Sequence, residues 1–296
     1  MIDKPKNMAT SVRQRLLNQA RSEKQDFQRL LVRYAIERFL FRLSRSEYAS
    51  QFVLKGAMLF VLWSPQPFRS TGDLDLLGYG ANDPESVRKV ITGICSQNVP
   101  DDGLQFDTAS LNVEAAREED EYQGARVRLD VHLGTAIIPV QIDVGFGDVV
   151  NPAPSEIDYP VLIDELPAAR IRAYPPETVV AEKFEAMVRF DDLTSRLKDH
   201  YDLWVLFRTF PFEGAELQTA IRRTFEQRGT LLSNAMPAPL TPDFAARRVK
   251  QDQWKAFLRR TTPTIEPPPF ELLVGELRGF FEPIIVALNA SDRGRR

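Results

Sequence analysis

Apolar residues recur along the chain with two different periods, and the switch between them outlines the fold. From Phe27, positions Leu30, Leu31, Tyr34 and 36–40 form one broad apolar face, which predicts a helix to about Leu43. Ser22 and Gln25 carry the residue types of a capping box in front of it. Residues 52–54 are a short β-prone run ending at Lys55-Gly56, and 57–63 are apolar throughout, a pattern shared by buried helices and strands. Residues 73–77 alternate strictly between polar and apolar and stop at Gly78, which predicts a strand. Asp83-Pro84 has the form of an N-cap with proline in the first helical position, and Val87, Val90, Ile91 and Ile94 follow at helical spacing. Three strand-like stretches come next, 104–113, 125–133 and 137–146, the last two joined by a predicted hairpin at Gly134-Thr135.

Residues 152–167 are irregular and proline-spaced, a natural boundary. Pro175-Pro176-Glu177 then opens a helix holding Val179, Val180, Phe184, Met187 and Val188. Further helices are predicted over 196–207, 213–228, 252–260 and 270–288, and no internal repeat is present. This order predicts an α+β protein: an N-terminal helical segment (1–48), a mixed α/β core (49–168) and a helical C-terminal domain (169–296).

Composition narrows the chemistry. A chain of 296 residues that is 43% hydrophobic and 27% charged can bury a core, which excludes a disordered chain. With Cys95 as the single cysteine and His132 and His200 as the two histidines, a Cys/His zinc site and a histidine-dependent triad lack material. No stretch approaches the ~20 apolar residues of a membrane helix and the start has no apolar signal core, so a cytoplasmic, non-membrane protein is expected. Charge is uneven: residues 1–48 carry net +6, 49–188 net −12 and 189–296 net +3. An acidic middle between basic ends suits a metal-binding centre with anion-attracting surroundings. Arg29, Arg33, Arg38, Arg42 and Arg45 in the first helix, with Arg222, Arg223, Arg247, Arg248, Lys250, Arg259 and Arg260 further on, form clusters that suit an RNA backbone, or else solvated helix faces.

The segment with most chemical content runs from Lys55-Gly56-Ala57-Met58 to Arg69-Ser70-Thr71-Gly72-Asp73-Leu74-Asp75. On a strand, Asp73 and Asp75 project from one face, and paired carboxylates of this kind suit a Mg²⁺ ion between them. A third carboxylate, Asp143, sits among apolar residues on another predicted strand; were the strands neighbours, three acids would converge as in phosphoryl or nucleotidyl transfer. Arg69, Ser70 and Thr71 add donors compatible with phosphate just upstream.

Four elements in order carry a resemblance: Lys55-Gly56 with Arg69-x-Thr71-x-Asp73-x-Asp75, Ile142-Asp143-Val144, Tyr174-Pro175 with Ala181-Glu182-Lys183, and Arg196-x-Lys198-Asp199-x-x-Asp202-Leu203. Together, over roughly residues 50–205, they resemble the AbiEii-type nucleotidyltransferase toxins of bacterial toxin–antitoxin systems, within the DNA polymerase beta-like nucleotidyltransferase superfamily. The resemblance implies a nucleotidyltransferase-like mixed β-sheet core and a Mg²⁺ (or Mn²⁺) dependent enzyme that uses an NTP. It implies Asp73, Asp75 and Asp143 as metal ligands, Asp143 also as base, and Asp199 as the acid of the last motif. Lys55, Gly56, Arg69, Ser70, Thr71 and Lys183 would bind the nucleotide. The superfamily's turn usually continues with serine where this chain has Ala57, leaving Ser70 or Thr71 to supply a hydroxyl. It further implies transfer of NMP to a macromolecular hydroxyl, the tRNA 3′ end first and a protein second, and a separately encoded antitoxin.

The helical motifs also have plainer physical readings. Lys183 beside Phe184 and Met187 would be partly desolvated, which suits phosphate, although an exposed helix pair has the same spacing. Asp199 and Asp202 share a face with Arg196, the pattern of an exposed ion-pair ladder as well. His200 reads as a surface histidine, His132 as structural, and Tyr201 and Trp204 as core. Two other functions fit parts of the pattern: a catalytically silent RNA- or protein-binding member of the fold, favoured by Ala57, and a Mn²⁺-dependent D-x-D glycosyltransferase, favoured by the acid pair alone.

Overall fold

The computed structural model describes residues 7–64, 68–69, 71–117, 123–233 and 235–293. Two compact units result: residues 1–65, 71–147 and 155–173 form the first, and 66–70, 148–154 and 174–296 the second.

In the first unit, strands β1 (Phe52–Lys55), β2 (Asp73–Gly78), β3 (Leu104–Arg117), β4 (Gln123–Leu133), β5 (Ala136–Phe146), β6 (Ser155–Tyr159) and β7 (Ala169–Ala173) form one mixed sheet in the order β3-β4-β5-β2-β1-β7-β6. The pairs β2/β5 and β1/β7 are parallel and the others antiparallel. Helices α1 (Met8–Ser22), α2 (Phe27–Arg45) and α4 (Pro84–Cys95) pack on one another and on the sheet. The first helices therefore belong with the sheet instead of standing apart as a segment of their own. Leu40 and Leu43 of α2 line a common cavity with Leu54 and Leu76, so α2 covers the face to which the apolar half of β2 points. A 3₁₀ turn (Gly56–Leu59) and the short α3 (Phe60–Trp63) occupy the apolar stretch whose period left helix and strand open.

Asp83 caps α4 as its sequence predicts, its carboxylate accepting from Ser86 N at 2.9 Å. The capping box predicted at Ser22 does not form. Ser22 is the last residue of α1, and Asp26 caps α2 by accepting from Arg29 N at 2.8 Å. The basic face of α2 is also divided: Arg38 and Arg42 are buried, Arg38 against Glu37 at 3.0 Å and Arg42 two-pronged on Asp102 at 2.6 and 3.1 Å. An RNA face made of all five arginines is therefore ruled out; Arg38 and Arg42 hold the helix in its unit. Strands β6 and β7 lie in and just after the stretch expected to be irregular, because their pairing with each other and with β1 overrides a weak local pattern.

The second unit is helical: α5 (Pro176–Phe190), α6 (Leu197–Thr209), α7 (Gly214–Gln227), α8 (Pro242–Ala246), α9 (Arg248–Thr261) and α10 (Phe270–Arg293). Aromatic packing holds it together, with Phe184 stacked on Phe281 at 4.2 Å and Trp254 on Phe270 at 4.9 Å between ring centres. Among the described residues no helix is long and apolar enough to cross a membrane.

Candidate active site

The acidic residues of β2 and β5 are brought together by register. Parallel pairing sets Asp75 opposite Asp143 and Asp73 opposite Gln141. On the outer sides, β1 sets Lys55 opposite Asp75, and β4 sets Arg126 opposite Asp143. One row across four strands therefore reads Arg126, Asp143, Asp75, Lys55, with charges plus, minus, minus, plus. Neighbouring strands lie ~4.8 Å apart, close enough for like charges to repel unless cations compensate them.

Gly56 explains how Asp75 is accommodated. Its φ of +73° lies in the left-handed region, and a Cβ there would come within 1.9 Å of Asp75 Oδ2. The glycine of the Lys55-Gly56 turn thus leaves the space that the Asp75 carboxylate fills. Along the same face of β2, Asp73 is exposed, Asp75 half-buried and Leu77 fully buried, so the acids stand at the wet end of the strand.

Asp143 does not stand free beside the pair. Arg126 grips it with Nε and Nη2 at 2.8 and 3.0 Å, and Gln141 Nε2 donates to Oδ2 at 3.1 Å. The hydrogen bond to Asp143 raises the Arg126 pKa against partial burial, and the charges of Asp143, Asp73 and Glu114 add to it. Among the described residues no three His, Cys, Asp or Glu side chains form a group able to hold a metal ion. Asp75 and Asp143 are neighbours in register with Asp73 on the same face of β2, and Arg126 engages the third acid.

A second charged cluster is built within the helical unit. Lys183 on α5 donates to Asp199 and Asp202 of α6, both at 2.7 Å, and Arg69 meets Asp202 through Nε and Nη2, also at 2.7 Å each. Arg196 Nε closes on Asp199 at 2.9 Å. Asp202 is 0% and Asp199 2% exposed, so the exposed ladder that the spacing allowed is ruled out. Burial penalises the Lys183 charge, yet Asp199 and Asp202 outweigh it and hold the ammonium's pKa above its ordinary value. Burial likewise opposes the two carboxylates, and the facing cations still hold both below the usual range: Lys183 and Arg196 for Asp199, Arg69 and Lys183 for Asp202. The other predicted nucleotide-binding positions divide: Thr71 is half-buried ahead of β2, and Ser70 lies outside the described residues.

His200 is not a surface residue. It is 1% exposed, stacks on Phe244 at 5.8 Å, and its Nε2 faces Pro239 O at 3.1 Å, which makes Nε2–H the donor. Burial lowers its pKa to about 4. The unfolded chain therefore takes up a proton near pH 6.5 that the folded chain refuses until about pH 4. Stability is fully present above 6.5 and declines by about 3 kcal/mol as pH falls through that window. His200→Gln is expected to flatten this part of the profile, read as denaturation midpoints at pH 7 and pH 4.5; an unchanged slope would show that another group carries it.

Arg126 and Gln141 were not singled out from sequence, though a signal existed. A two-residue loop at Gly134-Thr135 pairs Leu133 with Ala136, and counting back along the hairpin sets Arg126 against Asp143. Arg228, which joins Asp148 and Glu185 at 2.8 and 2.7 Å in the helical unit, left no such signal.

The fold and the family are shared with known proteins. JHP933 from Helicobacter pylori superposes with a TM-score of 0.52 at 13% identity, covering 91% of this chain and 97% of its own. A crystal structure of a candidate nucleotidyltransferase from H. pylori gives 0.50 at 14%, covering 90% and 98%. At such identities the likeness shows the fold, an α+β nucleotidyltransferase-like architecture. No curated protein matches the chain in sequence. Residues 38–276 match the family described as "Nucleotidyl transferase AbiEii toxin, Type IV TA system", a span that includes every element of the acidic row and the buried cation cluster. This chain belongs to the AbiEii nucleotidyl transferase toxin family.

Proposed function

We propose that this protein is a Mg²⁺-dependent (or Mn²⁺-dependent) nucleotidyltransferase that moves NMP from an NTP to a macromolecular hydroxyl, the tRNA 3′ end first, and so inhibits translation. The carrying observation is the register that puts Asp75 beside Asp143, with Gly56 shaped to admit the Asp75 carboxylate. Oxygen donors at the wet end of a strand fit a hard divalent cation, and Asp73 and Asp75 would hold it. The ion would supply charge neutralisation at the phosphates and a more acidic attacking hydroxyl. Asp143 takes the proton of that hydroxyl; the oxygen bonds to the α-phosphorus as the bond to pyrophosphate breaks. Lys183, which stays protonated, and Arg69 would contact phosphate oxygens while keeping their buried carboxylate partners. Lys55, Gly56 and Thr71 complete the nucleotide contacts, and an antitoxin encoded separately restrains the activity in a cytoplasmic setting.

The test is incubation with total tRNA, Mg²⁺ and each labelled NTP in turn. Label entering tRNA from at least one NTP is expected. Label entering protein instead moves the acceptor, and none in either overturns the enzymatic reading. A catalytically silent member of the fold is the second reading, favoured by the hold of Arg126 on Asp143. Equal toxicity of wild type and Asp73→Ala/Asp75→Ala on expression would support it.

A further inference from the structure

The row across β4, β5, β2 and β1 carries its own cation at the edge of the acidic pair. Arg126 is 42% and Asp143 24% exposed at the side chain, so their contact is partly solvated. Such a pair is weak enough to be exchanged, unlike a buried one. Its geometry is specific all the same, since both prongs of the guanidinium engage one carboxylate. The carboxylate so engaged is the one whose strand register sets it directly beside Asp75.

We propose that Arg126 is a positioning residue that competes with divalent metal for the Asp143 carboxylate, holding the site short of its third acid until the guanidinium is displaced. This rests on the assignment of Asp73 and Asp75 as the metal pair. Arg126 loses one partner when a cation recruits Asp143, and a triphosphate offers it another, because a guanidinium binds phosphate with the same two-pronged fit. Metal capture and nucleotide arrival would thereby be coupled through one side chain.

Arg128 provides an internal control. It lies two residues further along β4 on the same face, carries the same charge, and engages Glu114 and Gln141 instead of Asp143. The experiment is Mn²⁺ binding to the full chain without nucleotide, followed by electron paramagnetic resonance. Arg126→Gln is expected to bind Mn²⁺ about tenfold more tightly than wild type, the scale of a change in the shell around a metal. Arg126→Lys, which keeps the charge and loses the second prong, should fall between them. Arg128→Gln should give only a small fraction of the gain, and Asp143→Asn added to Arg126→Gln should abolish it.

Equal affinity of Arg126→Gln and wild type overturns the inference, as does an equal gain from Arg128→Gln, which would reduce it to bulk charge. Weak binding by wild type with clear binding by Arg126→Gln supports it. If neither protein binds Mn²⁺, the assignment of the metal pair fails first and the inference falls with it. Position 126 lies on a half-exposed strand face between buried Ala125 and Val127, so glutamine is compatible with the fold, and an unchanged thermal transition verifies this.

Discussion

Asp75→Asn is expected to reduce nucleotide transfer by at least about a thousandfold while leaving the fold intact. A charge that neutralises developing negative charge at phosphate contributes several kcal/mol to the barrier, and each ~1.4 kcal/mol is a factor of ten in rate. Asparagine has the volume of aspartate, so the space left by Gly56 stays filled. It also removes one of two like charges set side by side in register, which offsets the countercharge that Lys55 loses across the β1/β2 pair. The measurement is NMP incorporation into tRNA from labelled NTP, paired with a denaturation curve. Wild-type rates from a folded Asp75→Asn protein would remove the carboxylate pair from the mechanism.

The second large effect falls on stability. Lys183→Met is expected to destabilise the protein by about 3–5 kcal/mol, because Asp199 and Asp202 are left buried with part of their countercharge gone. Arg69 and Arg196 remain, which sets the loss towards the lower end of that range. The pH dependence has a definite sign. Both carboxylates have depressed folded pKa values, so their stabilisation is present above the unfolded value near 3.9 and is lost as pH falls below it. Lys183, with a raised folded pKa, contributes below its unfolded value near 10.4 and ceases to as pH rises through the folded one. Urea denaturation of Lys183→Met against wild type at pH 7 checks the magnitude; a change under ~1 kcal/mol would show that the lysine charge is not needed to keep the two acids buried. Loss of activity in a lysine variant therefore indicates a phosphate contact only in protein shown to be folded.

Most of the secondary structure was legible because its determinants are local. Asp83-Pro84 and Pro175-Pro176 announce helix starts through fixed dihedrals and missing donors, and 73–77 declares a strand by strict alternation. Ahead of α2 two local signals compete. Ser22 and Asp26 both qualify as caps, and only the point at which α1 ends selects Asp26. His200 has the spacing of a surface residue, and Asp199 and Asp202 fit an exposed ladder as well as a buried cluster, since spacing reports which side chains share a face and is silent on what lies opposite it.

Sequence by itself determined that two carboxylates share one face of a strand, that a glycine turn follows β1, and that a helical lysine and a helical acid pair come later in the chain. Those facts depend on backbone periodicity and on the conformational freedom of glycine, both properties of near neighbours. Tertiary structure decided which strand lies beside β2, that Arg126 closes on Asp143, and that Lys183 is held by Asp199 and Asp202. Those outcomes rest on strand order and helix packing, where the burial of apolar faces chooses partners far apart in the chain, and each charged group takes the countercharge that packing brings within reach.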